Sequence, residues 1–253
     1  IIICVGFDQA DALNKIAAEY PDQKFALVDM VVQQPNVASL LFKANEGSFL
    51  LGVVAANMSQ SKKIGMIGGM DIPLIRDFFV GFEAGVKWSN TGAEVLPGVF
   101  VGNWADPTKG KELAFSLIDS GADIIWPAAG KSGLGALEAA QERGVFGMGV
   151  DACQCYLNDK MVASMTKRVD VAVYETIKSA YEGTFQGGIL EKGVADGWVG
   201  MCRLPEEEKF WEEKYGFTHS VSLPQNVIDK VLEAQAKIKT NEIIVPRPAE
   251  FGG

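Results

Sequence analysis

Residues 63–87, KIGMIGGMDIPLIRDFFVGFEAGVK, constrain the fold of this chain more than any other stretch. Ile64 to Ile67 are apolar, preceded by lysines and followed by Gly68 and Gly69, the pattern of a buried parallel strand ending in a tight turn. A helix is expected next. Asp71 suits its N-cap, Pro73 its first turn, and Ile75, Phe78, Phe79, Phe82 and Val86 recur at helical spacing. Strand, glycine turn and helix together make the unit whose carboxyl end binds ligands in open α/β sheets.

The same alternation recurs along the chain. Before this run we expect a strand over 1–5, a helix over 8–20 with Ala12, Leu13, Ile16 and Ala17 facing inward, and a strand over 25–28. A short strand at Leu41 and Phe42 and a small-residue helix over 47–58 follow, and the polar residues 59–63 read as the first crossing between two lobes. After it come a helix over 72–88, a strand over 95–101, a helix over 107–120, a strand over 123–126, a helix over 134–143 and strands over 146–150 and 161–165. A helix over 169–182 is expected to cross back. Such alternation implies parallel sheets with helices on both faces and right-handed crossovers.

Beyond it, the glycine-rich 187–201 carries one expected strand near 198–202, and 206–214 reads as a charged, solvated face. Residues 226–239 form an amphipathic pattern with Val227, Val231, Leu232, Ala234, Gln235 and Ile238 on one side, and Pro246 and Pro248 end the structured part.

Composition excludes several functions. The chain has 253 residues, 48% hydrophobic and 22% charged, so it can bury a large core, and its net charge of −9 argues against a nucleic-acid surface. No apolar run approaches the roughly 18 residues a membrane helix needs. Cys4, Cys153, Cys155 and Cys202 leave three full pairings open, read as thiols or one optional disulfide. Cys153 and Cys155 have no histidine or second pair at ligand spacing, so no metal site is expected.

Enzyme motifs fail. Gly130-Lys131-Ser132 resembles the end of a phosphate-binding loop, but the leading glycine is replaced by Ile125. A nucleophile elbow fails because its second glycine falls on Leu134. The only histidine, His219, sits in a polar stretch and reads as an exposed loop residue, which disfavours histidine-based triads. What remains are polar and aromatic residues at strand ends: Asp29, Trp104, Asp151 and Lys167.

The segment GGMDIPLIRDFFVGFEAGVK resembles the signature of the basic membrane protein, or PnrA-like, family of nucleoside-binding lipoproteins of ABC importers. The blocks NEGSFLLGVVAA, ADPTKGKELA and TKRVDVAVYETIK extend the resemblance over almost the whole chain. It implies a two-lobed α/β fold of the type I periplasmic-binding-protein class, each lobe a parallel sheet flanked by helices. It places the opening IIICVGF at the family's third strand, so the first two βα units, with the lipid-attached cysteine, are expected to be missing here. The lobes are expected over 1–60 with 168–193 and over 61–167 with 194–253.

A purine nucleoside offers a flat base and a ribose diol, which call for an aromatic face and a carboxylate that accepts two hydrogen bonds. The resemblance implies that Trp104, at a position where phenylalanine is common, stacks the base, and that Asp151 and Lys167 hold the ribose. A more distant resemblance to ribose-binding proteins adds Asp29, Arg76 and Gly130. The family's loop after its first strand is absent from this sequence, which leaves the base preference open. The implied protein is a monomer outside the cytoplasm that binds its ligand between the lobes, presents a closed surface to a membrane permease, needs no cofactor and performs no chemistry. Binding of ribose or another small polar solute, a cytosolic regulator on the same fold and a nucleoside hydrolase are the alternatives.

Overall fold

The computed structural model describes residues 1–249. In chain order the first elements are β1 (Ile2–Val5), α1 (Ala10–Glu19), β2 (Phe25–Val28), β3 (Val37–Phe42) and α2 (Ala44–Met58). There follow β4 (Lys63–Gly68), α3 (Pro73–Trp88), β5 (Glu94–Val95), β6 (Val99–Phe100), α4 (Pro107–Asp119), β7 (Ile124–Ala128) and α5 (Ser132–Glu142). The last are β8 (Phe146–Gly149), β9 (Met161–Lys167), α6 (Val169–Tyr181), β10 (Gly188–Lys192), β11 (Val199–Met201), α7 (Pro205–Tyr215) and α8 (Gln225–Lys239).

The chain divides into two compact units. The first holds Ile1–Lys43 and Lys167–Val199; the second holds Ala44–Thr166 and the chain from Gly200 on. The first changeover therefore falls at Lys43, before α2, and not in the polar stretch after it. Residues 250–253 of the expected tail lie outside the described residues.

The first unit is built on a four-stranded parallel sheet in the order β1-β2-β3-β10. All four residues of β2 are buried, as suits a central strand, and Leu13 and Ala17 of α1 pack with Phe25, Leu27, Val32 and Val37. Of the four residues expected to face inward on α1, only these two do; Ala12 and Ile16 are exposed. β3 is longer than the strand expected at Leu41 and Phe42, and it carries one buried polar side chain, Ser39, with another, Asn36, just before it. Ser39 Oγ accepts from Val32 N at 3.0 Å, and Asn36 Nδ2 donates to the carbonyls of Ala17, Tyr20 and Gln23 at 3.0, 2.9 and 2.9 Å. With their polar groups satisfied, both residues are buried without an unpaired donor.

The second unit carries a sheet in the order β11-β9-β8-β7-β4-β5, with β6 also paired to β4. The strand expected over 95–101 is broken at Pro97. Pairing advances three residues on β4 (Ile64 to Ile67) but four on its partner (Val95 to Val99), so one extra residue is accommodated as a bulge. The α2–α3 pair is packed backbone to backbone. A Cβ on Gly81 or Gly85 of α3 would collide with the carbonyls of Asn45 and Phe49, and one on Gly52 of α2 with that of Phe82. The buried aromatics of α3 then reach the sheet, with Phe82 stacked on Trp126 of β7 at 4.5 Å between centroids.

Several local expectations differ from the structure. Ile72, not Asp71, stands at the N-cap position of α3, which has no side-chain cap; the Asp71 carboxylate instead accepts from Arg76 Nε at 2.7 Å and Nη2 at 3.1 Å. The charged run 206–214 is not only a solvated face. It forms α7, started by Pro205 and stopped by Gly216 in the left-handed region, with Glu207 and Trp211 buried. Glu207 accepts from Thr166 Oγ1 at 3.0 Å and from Trp211 Nε1 at 2.7 Å. The glycine-rich segment holds β10 as well as β11. β10 is an exposed edge strand whose residues carry no apolar alternation, so nothing in its pattern announced it. The tail beyond α8 is pinned: Asn45 Nδ2 donates to the Val245 carbonyl at 3.0 Å, and Arg247 Nε bonds buried Asp77 at 3.0 Å. His219 is not an exposed loop residue either, for its side chain is only 4% exposed.

Candidate functional site

In the second unit, β4 leads through α3 to one side of the sheet and β7 leads through α5 to the other, although the two strands pair directly along Ile64–Gly68 and Ile124–Ala128. Adjacent parallel strands whose connections diverge leave a crevice beyond their carboxyl ends. Gly69 follows β4 at this point and Gly130 follows β7. The Trp104 ring lies against both, but it excludes a side chain only at Gly69. A Cβ on Gly69 would run into Cε3 and Cζ3 of that ring, and one on Gly130 would stand 3.5 Å from Cε3. Gly130 also takes φ +55, a conformation glycine adopts at little cost. Trp104 is half-buried, in the connection between β6 and α4.

Ser132 holds the Trp104 loop in place. Its Oγ accepts from Asp106 N at 2.8 Å and donates to the Asn103 carbonyl at 2.7 Å, while its own N–H donates to the Trp104 carbonyl at 3.0 Å. Asp106 in turn caps α4 by accepting from Lys109 N at 2.9 Å. The Gly-Lys-Ser run that fails as a phosphate loop thus has another use. Its glycine seats an aromatic ring, and its serine fixes the loop that carries the ring.

Asp151 follows β8 on the same carboxyl edge. It is exposed and takes φ +66, unusual for a residue with a Cβ. The turn around it is braced by Gln154, whose Oε1 accepts from Val150 N at 3.0 Å and whose N–H donates to Ser164 Oγ at 2.9 Å. Arg76, in the first turn of α3, is half-exposed and paired with Asp71, which holds the Asp71 carboxyl below its ordinary pKa. Arg76, Trp104, Gly130 and Asp151 thus all belong to the carboxyl edge of one sheet.

The first unit brings together Asp29 and Lys167, which are 138 residues apart in sequence. Asp29 follows β2 at φ +72 and Lys167 ends β9. Lys167 Nζ donates to Asp29 Oδ1 at 3.1 Å and Oδ2 at 2.8 Å, with the two side chains 8% and 16% exposed. The ammonium also lies 5.4 Å from the centroid of Phe42 at the end of β3. Phe42 packs on Trp198, whose Nε1 donates to Glu175 Oε2 at 2.9 Å. Strand-end reasoning had marked Asp29 and Lys167 separately; that they form a pair depends on strand order.

The sequence profile of the Bmp family, described as ABC transporter substrate-binding protein PnrA-like, matches residues 1–248. The chain belongs to the PnrA-like family of ABC transporter substrate-binding proteins. It is 33% identical to an uncharacterized lipoprotein of Pyrococcus abyssi over 98% of this chain and 69% of that one. Among solved structures, an ABC transporter solute-binding protein from Aeropyrum pernix K1 superposes with a TM-score of 0.80 at 32% identity, covering 98% of this chain and 78% of the other. A transcriptional activator of the comK gene from Bacillus halodurans superposes at 0.81 with 25% identity, covering 96% and 80%.

Two features of this PnrA-like chain escaped sequence reasoning. Ser132 carries no motif signal once the phosphate loop is discarded. Phe42 was counted only as part of an apolar strand, although its terminal position matches that of Asp29 and Lys167. No helix of the described residues is long and apolar enough to cross a membrane.

Proposed function

We propose that this PnrA-like protein binds a purine nucleoside outside the cytoplasm and delivers it to an ABC permease without chemical change. Trp104 stacks on the base. Asp151 accepts hydrogen bonds from the two ribose hydroxyls, and Lys167, oriented by Asp29, donates to the ribose. The observation that carries this reading is the Trp104 ring laid over Gly69 and Gly130 at the divergence of β4 and β7. A flat, half-buried aromatic held by three hydrogen bonds through Ser132 is a preorganised platform for another flat group.

Calorimetric titration with inosine, followed by competition with free ribose, tests it. Inosine is expected to bind and ribose to compete poorly, because ribose has no base to stack. Replacing Asp151 by Ala is expected to cost roughly 2–5 kcal/mol of inosine binding, much of it from hydroxyls left unpaired. Unchanged affinity in that variant, or equal binding of ribose, would overturn the nucleoside assignment.

The likeness to the Bacillus halodurans activator supports a second reading, a ligand-responsive regulator on the same fold. The net charge of −9 weighs against direct DNA contact. Recovery of the protein with a membrane permease supports the transport reading; recovery with a soluble partner supports the other.

A further inference from the structure

The three cysteines of the second unit come from distant parts of the chain and meet in its interior. Cys153 and Cys155 lie in the turn after β8, and Cys202 follows β11; all three are buried thiols outside any disulfide. His219 approaches them from the segment between α7 and α8. The sulfurs of Cys153 and Cys202 and a ring nitrogen of His219 lie within 4.8 Å of one another, and Cys155 Sγ is 3.8 Å from Cys202 Sγ. We propose that Cys153, Cys155, Cys202 and His219 form a four-coordinate site for a thiophilic divalent cation, zinc.

The Cys155–Cys202 spacing suits that ion. Zinc–sulfur bonds of about 2.3 Å in tetrahedral geometry put two thiolate sulfurs about 3.8 Å apart, whereas a disulfide needs about 2.05 Å. Independently of the cysteines, the histidine requires a partner. Neither ring nitrogen of His219 has a hydrogen bond although the side chain is 4% exposed. A metal bond would satisfy one nitrogen. Glu208 Oε1, 3.9 Å from Nε2, is a small movement from accepting from the other, the arrangement by which carboxylates orient metal-bound histidines.

The surroundings supply what such a site needs. Three thiolates and one zinc ion leave a net negative charge, and Arg203 stands beside it, its guanidinium held by Glu208 and the carbonyls of Val162 and Val221. Ser164 N–H donates to Cys202 Sγ at 3.2 Å. Leu137, Met161 and Trp211 close the cluster against water. With every ligand supplied by protein, the ion would be structural and not catalytic. It would tie the turn after β8, the end of β11 and the chain after α7 into one knot.

Anaerobic reduction of the full chain, incubation with zinc and removal of excess ion should leave one zinc per chain by elemental analysis. Cobalt in its place should show thiolate-to-cobalt charge transfer and the ligand-field bands of a tetrahedral ion. His219→Ala and Cys202→Ser should weaken zinc binding more than about tenfold, while His219→Cys, which keeps four ligands, should retain it. No zinc uptake by the reduced wild-type chain overturns the proposal. So does an octahedral cobalt spectrum without charge transfer, a readout that needs no variant to fold. Zinc affinity unchanged from the parent in both His219→Ala and Cys202→Ser would make the ion adventitious and overturn it as well. So would a chain whose intact mass lacks two hydrogens and which, once reduced, still takes up no zinc; that outcome would assign the cluster to a disulfide. None of these readouts involves nucleoside binding, so the proposal stands or falls apart from that reading.

Discussion

At the scale of single residues, the Asp29–Lys167 pair links stability to the proposed function. Both groups are largely out of water, and each is the other's counter-charge. Lys167→Met would leave a carboxylate in poor solvent without compensation, at a cost of about 3 kcal/mol, the low end for a buried pair broken on one side. Urea denaturation of Lys167→Met, Asp29→Asn and the double variant is expected to give a coupling of at least about 1 kcal/mol; additive losses would mean that the two groups do not act as a pair. Asp29, Trp104, Asp151 and Lys167 were legible in the sequence because the rule that marks them, a polar or aromatic residue just past a strand, is local. Ser132 and His219 were not. A serine's hydrogen bonds and a histidine's burial are set by chain that returns from elsewhere, and neither leaves a trace in neighbouring residues.

At the scale of elements, α2 and α3 pack backbone to backbone. Gly81 and Gly85, one helical turn apart, face the backbone carbonyls of Asn45 and Phe49, so no side chain stands between the helices there. Gly85→Val is expected to destabilise by about 1–3 kcal/mol, the usual cost of overpacking, because the clashing atom is backbone and cannot rotate away. A thermal melt that leaves Gly85→Val as stable as the parent would show that the helices separate easily. The glycine spacing in GFEAGVK was visible beforehand, but it read as part of a strand–turn–helix unit and gave no hint of which helix lay opposite. Long periodic elements such as α3 and α8 were legible within a residue or two. β10 was not, since an exposed edge strand has no buried face to impose a pattern, and α7 was obscured because seven of its eleven residues are charged and read as a solvated face.

At the scale of the whole molecule, ligand binding should register as stability. A nucleoside at a hundred times its dissociation constant is expected to raise the unfolding free energy by about 2.7 kcal/mol, provided it binds only folded protein. Inosine should shift the denaturation midpoint of the parent and leave that of Asp151→Ala nearly unmoved at the same concentration; equal shifts in both would remove Asp151 from the site. Alternating apolar runs and helical periods were enough to specify an α/β chain with parallel sheets, since each is a local response to one face being buried. Resemblance spread over several blocks was enough to indicate the family. What local pattern could not specify is which strands are neighbours. That order brings Asp29 to Lys167 across 138 residues, lays Trp104 against two glycines that follow different strands, and gathers Cys153, Cys202 and His219, with Cys155 against Cys202, in the interior of the second unit. Such encounters depend on how the chain closes on itself, and they are settled only when the sheets assemble.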